Sequence, residues 1–225
     1  MHALLKALLT LAATLSINIS AHALNNDNTL NDDPLNQIRL FAIFHDDVPE
    51  SKRSSTYADH IHPFVVEFER ITGRKIYVVF DRNRPPYTNF NYKSDDHNKM
   101  FEEWEKLTTA YKKERHENSE FFVSRNDRIL LITNDFINGS PLLGGMGGLA
   151  TQPGYSAIAA LEGRQAIGHE LGHTFNASHD DSEVIYNGWW CETFMFPTAF
   201  LLRSNCYVFS EKNKKRIKAY VDSLY

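Results

Sequence analysis

His169-Glu170-Leu171-Gly172-His173-Thr174-Phe175-Asn176-Ala177-Ser178-His179-Asp180 is the stretch on which the fold turns. On a helix, positions i and i+4 share a face, so His169 and His173 can hold one ion between them. Glu170 stands beside them, within reach of a water on that ion. His179 comes six residues after His173. An unbroken helix would carry it too far along the axis, so the spacing demands a sharp turn. That turn is expected near Asn176, because Asn is second only to Gly in tolerating the left-handed backbone.

The chain around this stretch has 225 residues and a formal charge of −4. It opens with Lys6, an apolar run from Ala7 to Ile17, and Ala21-His22-Ala23. These are the three parts of a secretory signal with its cleavage site, and the run is too short to span a bilayer. Residues 1–23 are therefore set aside as a leader, and the protein is expected to be exported, periplasmic or extracellular. Residues 24–37 (LNNDNTLNDDPLNQ) form a polar, flexible arm. The remainder, 38–225, suits a single domain with a sizeable core. A mildly acidic balance with no basic stripe argues against nucleic acid or an anionic membrane as partner. A monomer is expected. The two cysteines, Cys191 and Cys206, are expected to pair in an oxidising compartment. Two reduced, buried thiols are the alternative.

Ile38–His45, Lys75–Arg82 and Arg128–Thr133 read as buried strands. Thr56–Thr72 and Asp96–Arg115 carry apolar residues at helical spacing. Gly73 stops the first of these helices, and Pro63 lies inside it. Strands alternating with helices indicate an α/β layer with a largely parallel sheet. Tyr155–Ala160 fits a further strand, and Ala157–Ala160 fits the start of the next helix equally well. Gly163–Phe175 is expected to be the helix that carries His169 and His173. Ser210 is the N-cap of a terminal helix with Ile217, Tyr220, Val221 and Leu224 facing inward.

The run from His169 to Asp180 resembles the metzincin zinc-protease signature H-E-x-x-H-x-x-G-x-x-H-D. His169, Glu170, His173, His179 and Asp180 match it, and Asn176 stands where the family has Gly. Cys191-x-x-x-Met195-x-Pro197 is similar to the adamalysin (reprolysin) form of the family's Met-turn, with a slightly different Cys-to-Met spacing. The resemblance implies one catalytic Zn2+ on His169, His173 and His179, with Met195 beneath the imidazoles. It implies a zinc-dependent endopeptidase acting on extended polypeptide, with Glu170 as general base and then general acid. The implied fold is α/β, of α+β zincin type. It has a mostly parallel twisted sheet with an antiparallel edge strand, a long active-site helix, the Met-turn and a C-terminal helix. The upper part would span about 38–175 and the lower part about 176–225. Gly145, Met146, Gly147, Gly148 and Leu149 would form the edge strand that pairs with substrate. Read from the residues alone, the same stretch is also a flexible loop, and its spacing fits no phosphate-binding fingerprint.

Two rival functions use the same residues. Glu192 lies nineteen positions after His173, the spacing of the third-ligand Glu in gluzincin aminopeptidases, and His179 would then be incidental. A non-catalytic zinc-binding interaction module would keep the histidines but has no need of Glu170. The histidines outside the motif (His45, His60, His62, His97, His116) read as surface residues. Asn138-Gly139-Ser140 and Asn176-Ala177-Ser178 are formal glycosylation sequons.

Overall fold

All seven residues of Ile38–Phe44 are buried, including Arg39, which is paired with Asp127. A strand of this kind requires cover on both faces. The computed structural model, which describes residues 37–118, 124–140, 144–198 and 202–225, supplies that cover. β1 (Ile38–Phe44) lies between β2 (Ile76–Asp81) and β3 (Arg128–Thr133) and is parallel to both. Three short strands follow, β4 (Asn138–Ser140), β5 (Gly144–Met146) and β6 (Gly148–Ala150). β4 and β5 pair with each other as a separate antiparallel ribbon. β6 runs antiparallel to β7 (Ser156–Ala160), which is parallel to β3. The main sheet thus has the order β2-β1-β3-β7-β6, mostly parallel with an antiparallel edge. The leader, and the arm as far as residue 36, lie outside the described residues.

The period of two along each strand sorts the core into two layers. Phe41, Ile43, Ile129, Leu131 and Ile158 face α3 (His97–Glu117), which contributes Met100, Trp104 and Tyr111. Leu40, Ala42, Leu130, Ile132, Ala157 and Ala159 face the other way. That layer holds α2 (His62–Thr72), α4 (Ala166–Thr174) and α5 (Glu211–Asp222). Phe64 of α2 is a hub there. Its ring lies 5.7 to 6.5 Å from those of Phe68, Phe175, Phe194 and Phe209, so helix α4 and the segments after it share one core with the sheet.

Several bounds differ from the sequence reading. The first helical segment begins at Glu50, not Thr56. It comprises α1 (Glu50–Thr56), a single π turn (Tyr57–Ile61) and then α2. The α1 residues are nearly all exposed, so they left no apolar stripe to read. The π turn falls just before Pro63, which lacks the N–H that an α ladder would use there. α4 starts at Ala166 rather than Gly163, because Gln165 is left-handed (φ 47°) and Gly163 closes a turn from Ala160. Of the two readings of Tyr155–Ala160 the strand holds, beginning at Ser156. The Gly-rich stretch is divided at Gly147. Gly145 and Met146 belong to the β4–β5 ribbon, while Gly148 and Leu149 form the sheet edge.

Downstream of α4, β8 (Val184–Tyr186), β9 (Trp190–Glu192) and β10 (Ser204–Asn205) form a small sheet. A Cys191–Cys206 disulfide joins β9 to the chain just after β10. No helix among the described residues is long and apolar enough to cross a membrane.

Candidate metal centre

α4 ends where the sequence demanded a turn. Asn176 is left-handed, at φ 71°. The amide of Ala177 donates to the Gly172 carbonyl at 3.0 Å and that of Asn176 to the His173 carbonyl at 2.9 Å. This is the 6→1 and 5→2 closure of a Schellman cap, with Asn in the place of Gly. The chain then reverses through extended Ser178 (φ −125°, ψ 147°) and delivers His179 to α4. The Nε2 of His179 lies 2.8 Å from that of His169 and 3.0 Å from that of His173. Glu192 is not part of this cluster. It is buried, and its Oε1 lies 3.5 Å from Arg203 Nη1.

Backbone carbonyls fix the orientation of the two helical imidazoles. His169 Nδ1–H donates to the Phe194 carbonyl at 2.7 Å, and His173 Nδ1–H donates to the Ala177 carbonyl at 3.1 Å. A carbonyl can only accept, so each ring carries its proton on Nδ1 and turns an Nε2 lone pair inward. Burial, then the neighbouring imidazoles, hold His169 in its neutral form, its pKa pushed down to about 3. Burial and His179 push His173 down to about 4. His179, the exposed member, is also lowered, by burial against the opposing pull of Asp180.

This donor set fits a zinc ion. Two of the three rings turn lone pairs inward and His179 has at most one proton to give them, so at least one lone pair is left for a cation. In a tetrahedral zinc site with Zn–N near 2.05 Å, imidazole nitrogens stand about 3.3 Å apart. The 2.8 and 3.0 Å separations here reach that value with small outward shifts. Three histidines leave a fourth position for water or substrate, as in a catalytic site and unlike a structural one.

Two close approaches to α4 depend on missing side chains. Met195 is fully buried in the turn after β9, and a Cβ on Gly172 would meet its Sδ at 2.7 Å. The turn can approach the helix backbone so closely only because position 172 is bare. On the other side, a Cβ on Gly148 of the edge strand would meet Glu170 Cγ at 2.5 Å and Oε1 at 2.7 Å. The Glu170 carboxylate is therefore seated against β6. Burial, with no compensating partner, pushes its carboxyl up to about 8.

Sequence reasoning missed several supports. Arg128, at the start of β3, is buried. Its guanidinium lies 4.1 Å over the Phe175 ring, and Nη2 reaches the Thr174 carbonyl at the end of α4 at 3.4 Å. A cation suits a helix C-terminus, but nothing in the local pattern of a buried strand announces one. His45 and His97 are not simply surface residues. His45 Nε2–H donates to the Phe90 carbonyl at 3.0 Å, and its Nδ1 lies 2.7 Å from Asp47. His97 meets the Asn138 amide at 2.7 Å. Both sequon asparagines are engaged: Asn138 Oδ1 accepts from the Met146 amide and Asn176 Oδ1 from Arg216.

No protein-family model and no curated protein matches the chain. Among solved structures it is similar to archaemetzincin from Methanopyrus kandleri, at 17% identity over 83% of this chain and 97% of that one, with a TM-score of 0.49. A chain from the structure of a chaperone–substrate complex shares 11% identity over 84% of this chain but only 38% of its own length, with a TM-score of 0.51. A zinc-dependent peptidase from Methanocorpusculum labreanum shares 17% identity over 79% and 99%, with a TM-score of 0.43. At 11% identity and a TM-score of 0.51, the likeness to the chaperone-complex chain is one of fold alone.

Proposed function

We propose that the protein is a zinc-dependent peptidase of metzincin type, an endopeptidase acting on extended polypeptide. The observation that carries this is the convergence of three imidazole Nε2 atoms next to a buried carboxylate, with two of the rings oriented by backbone carbonyls. His169, His173 and His179 would hold the ion, and Met195 would lie beneath them. Zinc, when bound, lowers the pKa of water from about 15.7 to about 7 and polarises a carbonyl. Glu170, one position from His169 and seated against β6, would be held ionised by the nearby cation despite its burial, take the proton of the attacking water and return it to the leaving amine. The edge of β6, unpaired on its outer side among the described residues, would align the substrate backbone by strand addition.

Glu170→Gln tests the reading. The variant should bind one zinc like the wild type and lose about 10²- to 10⁴-fold in cleavage of a mixed peptide library. Equal cleavage by both proteins would remove Glu170 from the mechanism. Products trimmed only from the amino terminus would favour an aminopeptidase.

We further propose export, with cleavage after Ala23. The A-x-A sequence supports it, and so does the Cys191–Cys206 disulfide, a bond of oxidising compartments. The mature protein should begin at Leu24 on N-terminal sequencing, and an intact Met1 would refute the leader.

A further inference from the structure

We propose that Asn213 of α5 is the positioning residue for His179, an inference that rests on the metal reading of the three-histidine cluster. His169 and His173 are held by the ladder of α4, but His179 follows a chain reversal and opens only a single 3-10 turn, His179–Asp181. Ser178, just before it, is extended, so its N–H and C=O point out of the chain as they would in a strand. The Asp181 amide reaches the Ser178 carbonyl at 3.3 Å, and the partner that both groups share is a side chain. Asn213 Oδ1 accepts from the Ser178 amide at 2.8 Å, and Asn213 Nδ2 donates to the Ser178 carbonyl at 3.0 Å. One carboxamide thus does the work of a neighbouring strand, fixing the peptide plane from which His179 departs.

Asn213 is itself immobilised. It is fully buried, and its backbone N–H donates to the N-cap hydroxyl of Ser210 at 3.2 Å. Ser210 Oγ in turn donates to the Asp181 carbonyl, two residues beyond His179. One turn further along α5, Arg216 Nε donates to the Asn176 carbonyl at 2.8 Å. Positions 210, 213 and 216 recur every three residues and lie along one stripe. That stripe grips the loop at Asn176, Ser178 and Asp181, on both sides of His179.

The chemistry is specific to Asn. Leu has the same shape and neither hydrogen bond. Asp keeps the acceptor and replaces the donor with a second oxygen facing a carbonyl. The test uses the full mature chain and four variants: Asn213→Leu, Asn213→Asp, His179→Ala and, as a control, Ile217→Val. Ile217 is a buried α5 residue outside the clamp. Zinc affinity is measured by chelator competition, Co2+ coordination by the visible ligand-field spectrum, and metal-free stability by thermal melting.

Both Asn213 variants should bind zinc about 10- to 100-fold more weakly, with a Co2+ spectrum displaced toward that of His179→Ala. Ile217→Val should melt earlier yet bind zinc like the wild type. If Asn213→Leu does not fold, Asn213→Asp, which alters a single donor, carries the comparison. Asn213 variants that bind zinc within about twofold of wild type would overturn the positioning role and leave the metal reading intact. A wild-type chain that binds no zinc, or whose binding ignores His179, would overturn the metal reading first and the clamp with it.

Discussion

Gly148 is the residue whose smallness does most for the proposed chemistry. Any Cβ there would collide with the Glu170 carboxylate, so the edge strand and the proposed base set each other's position. Gly148→Ala should push Glu170 off its seat and lower kcat by more than about tenfold, while zinc content stays at one per chain. A loss confined to KM would instead assign Gly148 to substrate alignment alone. Residues of this kind divide sharply in how far they can be read from sequence. His169, Glu170, His173 and His179 were legible because their spacing is a statement about geometry, and Asn176 because a left-handed turn admits few residue types. Asn213 and Arg128 were not. A polar residue inside a helix or at the head of a buried strand gains its meaning from a partner 35 or 46 positions away.

At the scale of elements, the strands β1, β2 and β3 were legible because unbroken apolar runs bounded by Pro, Gly and Asp leave little choice. The Gly-rich stretch was not. With few side chains, residues 144–150 carry no pattern to show that Gly147 ends one ribbon and begins another strand. The start of α4 was hidden for a similar reason, since the left-handed Gln165 is not a residue type that announces a turn. The β8–β9–β10 sheet is a small and partly exposed element. Its three strands have only two or three residues each, and Tyr186, Trp189 and Trp190 stand on its hairpin more than half exposed. The Cys191–Cys206 bond closes a loop with a sequence separation of 15, and such a crosslink contributes about 3 kcal/mol. Replacing both cysteines by Ser should therefore lower Tm by roughly 6–12 °C. Amide exchange should show the loss concentrated in 184–206, whereas a uniform loss would mean that the staple supports the whole core.

At the scale of the molecule, His169 and His173 belong to a helix packed on the sheet, whereas His179 belongs to a loop held by α5, which rests against α2. An ion bound by all three would tie these bodies together. At a thousandfold excess over its Kd, zinc should stabilise the fold by about 4 kcal/mol. Stripping it with a chelator should then lower Tm by roughly 10 °C, reversibly on readdition. An unchanged Tm would argue that the cluster holds no ion in the folded protein. The same hairpin that stands exposed also lies, in sequence, between His179 and Met195. Of the chain's three tryptophans, Trp189 and Trp190 sit on it, 60% and 52% exposed, while Trp104 is fully buried against the opposite face of the sheet. The protein thus carries an optical gauge in its own sequence. Acrylamide will quench two indoles and spare the third. The red-shifted light of that pair reports on the hairpin of the small sheet, against a blue-shifted reference inside the core.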